Sequence, residues 1–249
     1  MKTKLLLLAF IFMLAGVYSC EEDEGVNPKD ETEQEGTDDQ NSDDQEEKTY
    51  LVMEKSYTTQ FGSESRTYTY DENDRVDEFV YFYSGSTTTY ELDYDSEGRV
   101  TSISKNGEVD EKFSYSGNTV TKKSSYKDTW TTVNITLNDD GKIIRKQTEG
   151  SDTYYTYEWE NGNMISETRH SDGETDITTY SYDETILNPA FDKYLENHPM
   201  HESKNALTLK QYSGDSKAEY TLESNDAGYL TEIQGGMLNS TTTYTYNVE

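Results

Sequence analysis

The stretch LDYDSEGRVTSI, residues 92–103, reads as a single β-hairpin. Tyr90, Leu92 and Tyr94 alternate with Thr89, Glu91 and Asp93, the period-2 signature of a strand with one buried face. Asp95, Glu97 and Gly98 then supply the residues that a short hairpin loop with a left-handed glycine wants. Val100 and Ile103 resume the apolar pattern three positions apart instead of two. That spacing predicts a β-bulge in the outgoing strand.

Variants of the phrase recur along the chain: YTYDENDRVDEF from Tyr68, FSYSGNTVTKK from Phe113, ITLNDDGKIIRK from Ile135, YEWENGNMISET from Tyr157, YSYDETILNPAF from Tyr180 and YTLESNDAGYLTEI from Tyr220. A half-unit, YTYNVE, closes the series from Tyr244, and up to Tyr180 the starts lie 21 to 24 residues apart. Such a period holds two strands and two tight connections. Further turns are expected at Asp140-Gly141, Asn161-Gly162 and Ala227-Gly228, and further bulges where Val76 precedes Phe79 and Leu230 precedes Ile233. The fold class is therefore all-β: an antiparallel meander of about sixteen strands, curled into a soluble roll or barrel. Tyr68, Tyr70, Leu92, Tyr94, Phe113, Tyr115, Ile135, Tyr157, Trp159, Tyr182, Leu222 and Tyr246 are expected to point inward. A flat, extended sheet is the alternative architecture.

Tyr68-Thr69-Tyr70-Asp71 with Arg75-Val76, and Leu92-Asp93-Tyr94-Asp95 with Gly98-Arg99-Val100, resemble the tyrosine-aspartate hairpin repeats of large bacterial surface and toxin proteins. The unit at Phe113 departs from that pattern by lacking the aspartate, and the one at Ile135 lacks both tyrosines. The chain as a whole is similar to a family of gut-bacterial surface lipoproteins whose domain has a porin-like fold and no assigned function. The resemblance implies a fold and no chemistry. A pore is not expected, because a face of Thr, Ser, Lys and Glu could not sit in hydrocarbon.

Residues 1–19, MKTKLLLLAFIFMLAGVYS, have two lysines, an apolar run and small residues, the layout of a secretory signal. The run is shorter than the roughly 20 residues of a spanning helix. It ends at Cys20, the chain's single cysteine, in a context resembling the lipobox of bacterial lipoproteins, which implies lipidation at that residue. Residues 20–48 carry 14 acids against two lysines and read as a self-repelling linker. Acids directly after the cysteine resemble the export signal of surface-exposed lipoproteins. The expected location is thus the outer membrane, lipid-anchored and facing the cell exterior.

Residues 49–249 form a single repeat-built domain with a net charge of −19, from 17 basic and 36 acidic residues. That balance argues against nucleic acid, whose phosphates demand a basic surface, and against anionic sugars as first choice. One segment breaks the pattern: residues 185–212 hold two prolines and two histidines. Pro189 at a first turn, with Phe191, Tyr194 and Leu195 at helical spacing, predicts a short helix over 190–196 that caps one end of the roll.

No catalytic residues, cofactor or metal are expected. His198 and His201 flank Pro199, which prevents the one-face display of a zinc helix. Asp93, Asp95, Glu97 and Gly98 start like a calcium loop but reach Ser104 where a glutamate is required. The expected function is a non-catalytic binding module for glycans or a protein partner, through Trp130, Trp159, Tyr154, Tyr155, Tyr81 and Tyr83, whose rings offer stacking area with a polar handle. A structural or assembly component of the cell envelope is the alternative, and a glycan hydrolase a weaker one.

Overall fold

The computed structural model describes residues 49–127, 129–190 and 199–248. The signal segment, Cys20, the linker, and the expected helix beyond Ala190 with His198 lie outside them.

Sixteen strands alternate direction along the chain. The first eight are β1 (Tyr50–Thr59), β2 (Gly62–Tyr70), β3 (Val76–Tyr83), β4 (Ser86–Tyr94), β5 (Val100–Lys105), β6 (Glu108–Ser116), β7 (Thr119–Tyr126) and β8 (Thr129–Leu137). The rest are β9 (Ile143–Thr148), β10 (Tyr154–Glu160), β11 (Asn163–Ser171), β12 (Glu174–Leu187), β13 (Asn205–Gln211), β14 (Lys217–Ser224), β15 (Leu230–Gly235) and β16 (Ser240–Val248). Each pairs antiparallel with its neighbour in sequence, and β1 pairs with β16, so the sheet closes into a barrel. The flat-sheet alternative is excluded, because closure leaves no edge.

The bulges fall where the spacing placed them. The ladder skips Asp77 between Phe79 and Val76, Thr101 between Ile103 and Val100, and Thr231 between Ile233 and Leu230. Each extra residue turns a three-residue step into two inward side chains. The unit at Phe113, without its aspartate, makes a plain two-residue turn at Gly117 and Asn118, and its outgoing strand has no bulge. Gly98 and Gly141 take φ of +76° and +73°, the left-handed backbone those turns require.

The aspartate builds the loop. Asp95 Oδ1 accepts the backbone N–H of Glu97 and Arg99, while Oδ2 accepts Arg99 Nε at 2.8 Å. The Arg99 backbone bond, against a smaller opposing effect of burial, holds this carboxyl below its usual range. Arg99 then lies over the Tyr115 ring of the next repeat, 4.5 Å from its centroid. Asp71, Arg75 and Tyr94 repeat the arrangement at 4.3 Å, and Asn138, Lys142 and Trp159 replace it with a neutral acceptor and a lysine. Each of these three turns therefore clamps its neighbour.

A second device runs around the same end of the barrel. Tyr70, Tyr94, Tyr115 and Tyr182 each donate a hydroxyl to the carbonyl of the residue that begins, or lies near the start of, the preceding strand: Val52, Val76, Val100 and Met164. Trp159 Nε1 donates likewise to Ile143, and Tyr246 to Leu230. These carbonyls lie at or beside bulges, where the ladder leaves acceptors free. Tyr94→Phe is expected to lower stability by about 1 kcal/mol, since Val76 loses its donor. Tyr157→Phe is expected to cost less, because that buried hydroxyl donates to no backbone carbonyl and has only Glu167 near it. Urea midpoints of the two variants measure the contrast.

The apolar core occupies this end. Val52, Tyr68, Val76, Leu92, Val100, Phe113, Val120, Ile135 and Ile143 are buried together, with Met200 of the insertion among them. Most of the residues expected inward are in this core or packed on it, Tyr70, Tyr94, Tyr115, Trp159 and Tyr246 as partly buried members. The described part of the insertion includes a 3-10 turn at Pro199–His201, whose Met200 packs into the core at this end.

Outward positions carry mostly hydroxyl and charged groups, such as Thr67, Thr69, Glu91, Asp93, Lys112, Ser114, Thr136, Glu158, Thr179 and Thr221, all exposed. Apolar side chains are scattered among them. This wall lacks the continuous apolar band of a membrane barrel.

Candidate functional site

Beyond the core, inward positions change character and open to solvent. Along β3 and its neighbour, Tyr68 faces Phe79, Arg66 faces Tyr81 and Glu64 faces Tyr83; exposure rises from 1% at Tyr68 to 52% at Tyr83. A sixteen-stranded barrel is wide enough to leave a channel. Here aromatic side chains and the insertion narrow it to a cavity of about 800 Å³. Ala190, His201, Glu202 and Ser203 contribute from the insertion, and Lys55, Lys122, Lys146, Tyr157, Glu167, Tyr180 and Tyr244 from the wall.

The cations follow a rule. Six basic residues each lie over the aromatic ring directly opposite in the ladder: Lys55 over Tyr244, Arg66 over Tyr81, Lys105 over Tyr90, Lys122 over Phe113, Lys146 over Tyr155 and Lys210 over Tyr180. Distances to the ring centroids run from 4.8 Å for Arg66 to 6.0 Å for Lys105. Cross-strand register therefore builds a belt of cations on aromatics within the lumen. The sequence expectation put lysine with threonine on the outer face. It missed that Lys122 shares the parity of buried Val120, and that Lys146 pairs with Tyr155, which shares the parity of buried Tyr157.

Lys122 is paired with Glu111 at 2.6 Å. Lys146 has no carboxylate at ion-pair distance among the described residues, and lies near both the Tyr155 and Tyr157 rings. Burial pulls its ammonium below the usual lysine range, Glu167 opposes the shift and Lys122 adds to it. Tyr157, also at the cavity wall, is pushed upward by burial and then by Glu167.

The six aromatics singled out from sequence do not form one cluster. Tyr81, Tyr83, Tyr155 and Trp159 face inward; Tyr81 donates to Glu64 at 2.6 Å and Trp159 is tied to Ile143. Trp130 and Tyr154 face outward. Trp130 is 42% exposed under Lys112, and Tyr154 stacks on His170 at 4.3 Å with Arg145 on its ring. Among the described residues no group of three His, Cys, Asp or Glu is arranged to hold a metal. His201 meets the Tyr157 ring edge-on, and Asp95 is engaged by its own turn.

The fold has a solved counterpart. A porin-like protein from Bacteroides uniformis superposes with a TM-score of 0.55 at 14% identity, over 80% of this chain and 98% of that one. The likeness concerns the barrel fold alone. A similarity to the Photorhabdus luminescens Tc holotoxin pore, 12% identical over 73% of this chain and 10% of that one, has a TM-score of 0.19 and carries no argument. No protein-family model matches the chain, and neither does any curated protein.

Proposed function

We propose that this protein is a non-catalytic binding module of the cell envelope, and that its ligand occupies the barrel lumen. The observation that carries the reading is the cavity of about 800 Å³, within the range of small-molecule sites, walled by Tyr157, Tyr180 and Tyr244 with lysines interleaved. Tyrosine rings offer stacking faces and hydroxyls to a sugar-sized ligand. Lipidation at Cys20 supplies the anchor in this reading, with the barrel on the outer face of the outer membrane. The chain enters β1 at the end that holds the aspartate turns.

A protein partner is the second reading, and the hairpin tips of the open end favour it. Phe61, Tyr126, Met237 and Leu238 are at least half exposed there, Phe61 at 78%. Phe61 and Leu238 flank a smaller cavity of about 260 Å³ with Tyr57 and Tyr83.

A glycan array probed with the purified protein separates the two. Binding that Tyr180→Ala weakens about tenfold, with Trp130→Ala unaffected and both variants folded, is the expected result for a stacking contact in the lumen. Binding lost only in Trp130→Ala, or retained in both, removes the lumen from the reading.

A further inference from the structure

We propose that the lumen selects a small organic anion, bound by Lys146 with Lys122 beside it and with its body against the adjoining tyrosine rings. The inference rests on the lumen being the ligand site and adds the chemical class of what enters it.

Two observations converge. The cavity lining holds Lys55, Lys122 and Lys146 with Glu167 and Glu202, and Lys122 is held by Glu111 at 2.6 Å, so the lining is far less acidic than the domain as a whole. Next, Lys146 is partly buried at this wall with no carboxylate at ion-pair distance among the described residues, resting on the Tyr155 and Tyr157 rings at 5.1 and 5.8 Å. Buried charges are ordinarily paired, and a ring quadrupole compensates an ammonium only in part, so this ammonium is complementary to an anionic group on a ligand.

The domain's net charge does not oppose this at close range. At physiological ionic strength exposed charges are screened beyond about 8 Å, whereas groups inside the barrel are screened much less. Total charge, which argues against anionic sugars as first choice, therefore does not by itself decide what the lumen takes. The rings beside Lys146 add a requirement for a flat or apolar body. A carboxylate, phosphate or sulfonate on such a body satisfies both.

Two fluorescent probes of matched shape test the inference on the full-length protein: anilinonaphthalene sulfonate, an anion, and N-phenylnaphthylamine, its neutral counterpart. The sulfonate is expected to bind more tightly. Lys146→Ala is expected to weaken it at least about tenfold, the worth of one charge-assisted hydrogen bond, while leaving the neutral probe unchanged. Lys146→Arg, which keeps the charge, should restore most of the affinity. Equal binding of the two probes, or sulfonate binding indifferent to Lys146→Ala, overturns the anion inference. If the neutral probe then remains sensitive to Tyr180→Ala, the lumen reading survives alone. If neither probe binds, both fail. Circular dichroism and thermal midpoints of each variant confirm that lost binding is not lost fold.

Discussion

The barrel is expected to unfold cooperatively as pH rises from about 10 to 12 and beyond, without any change of ionic strength or temperature. The cause is the ring of tyrosines. Burial raises the hydroxyls of Tyr70, Tyr94, Tyr115, Tyr157, Tyr180 and Tyr246 well above the ordinary tyrosine value, and pushes Tyr182 up to about 12. An acid whose folded pKa exceeds its unfolded pKa stabilises the fold fully below the unfolded value, near 10, and that contribution disappears as pH climbs through the folded value. Several such contributions lost together weigh heavily against the small net stability that holds a domain. Ionisation also removes the hydroxyl protons donated to Val52, Val76, Val100 and Met164, so each phenolate would face a bare carbonyl. The last part of the tyrosinate absorbance rise, that of the buried rings, should coincide with loss of the β circular dichroism signal on the same sample. Absorbance that reaches its full value with the β signal intact would show that the buried rings ionise in place, contrary to this account.

Gly235→Ala is expected to be among the most damaging single substitutions in the wall, costing roughly 2 to 4 kcal/mol. Gly235 has φ of +133°, and a Cβ there would stand 2.2 Å from the carbonyl oxygen of Glu219 on the facing strand. That oxygen already accepts the N–H of Gly236 at 3.0 Å, so it cannot retreat without losing the bond that starts the turn between β15 and β16. A closed barrel passes such a displacement to both neighbours, since neither strand is an edge. Gly62→Ala is the control: it has a similar positive φ, +147°, but open space where the Cβ would go, and should cost only about 1 kcal/mol. Urea unfolding of the two variants that gave equal losses would mean that backbone conformation alone, not the contact with Glu219, governs the site.

Much of this architecture was legible before any coordinates. The phrase at 92–103 contains, in order, an alternating strand, a side chain that caps its own turn, a glycine for the left-handed position, and a three-residue step that becomes a bulge. All are local, decided by backbone sterics and by hydrogen bonds reaching a few residues along the chain, so a single repeat suffices to state them. Repetition then gives the strand count, because no hairpin buries its aromatic face alone. The donors from Tyr70, Tyr94 and Tyr115 were not legible, since their acceptors lie 15 to 18 residues away and only bulge geometry makes them available.

The lumen belongs to the other category. Lys122 and Lys146 look in sequence like ordinary solvent-facing members of polar strands, and the domain's net charge of −19 argues against anionic sugars as first choice. Total charge is a sum over residues and has no position. Pairing β1 with β16 turned one face of the sheet inward, and register set each lysine over the ring opposite it. The sequence by itself determined hairpins, bulges and their number, because these depend on short-range sterics and period; closure and the placing of cations over rings inside the barrel were decided only by tertiary structure, because they depend on which distant strands meet and on which side of the wall each charge is left.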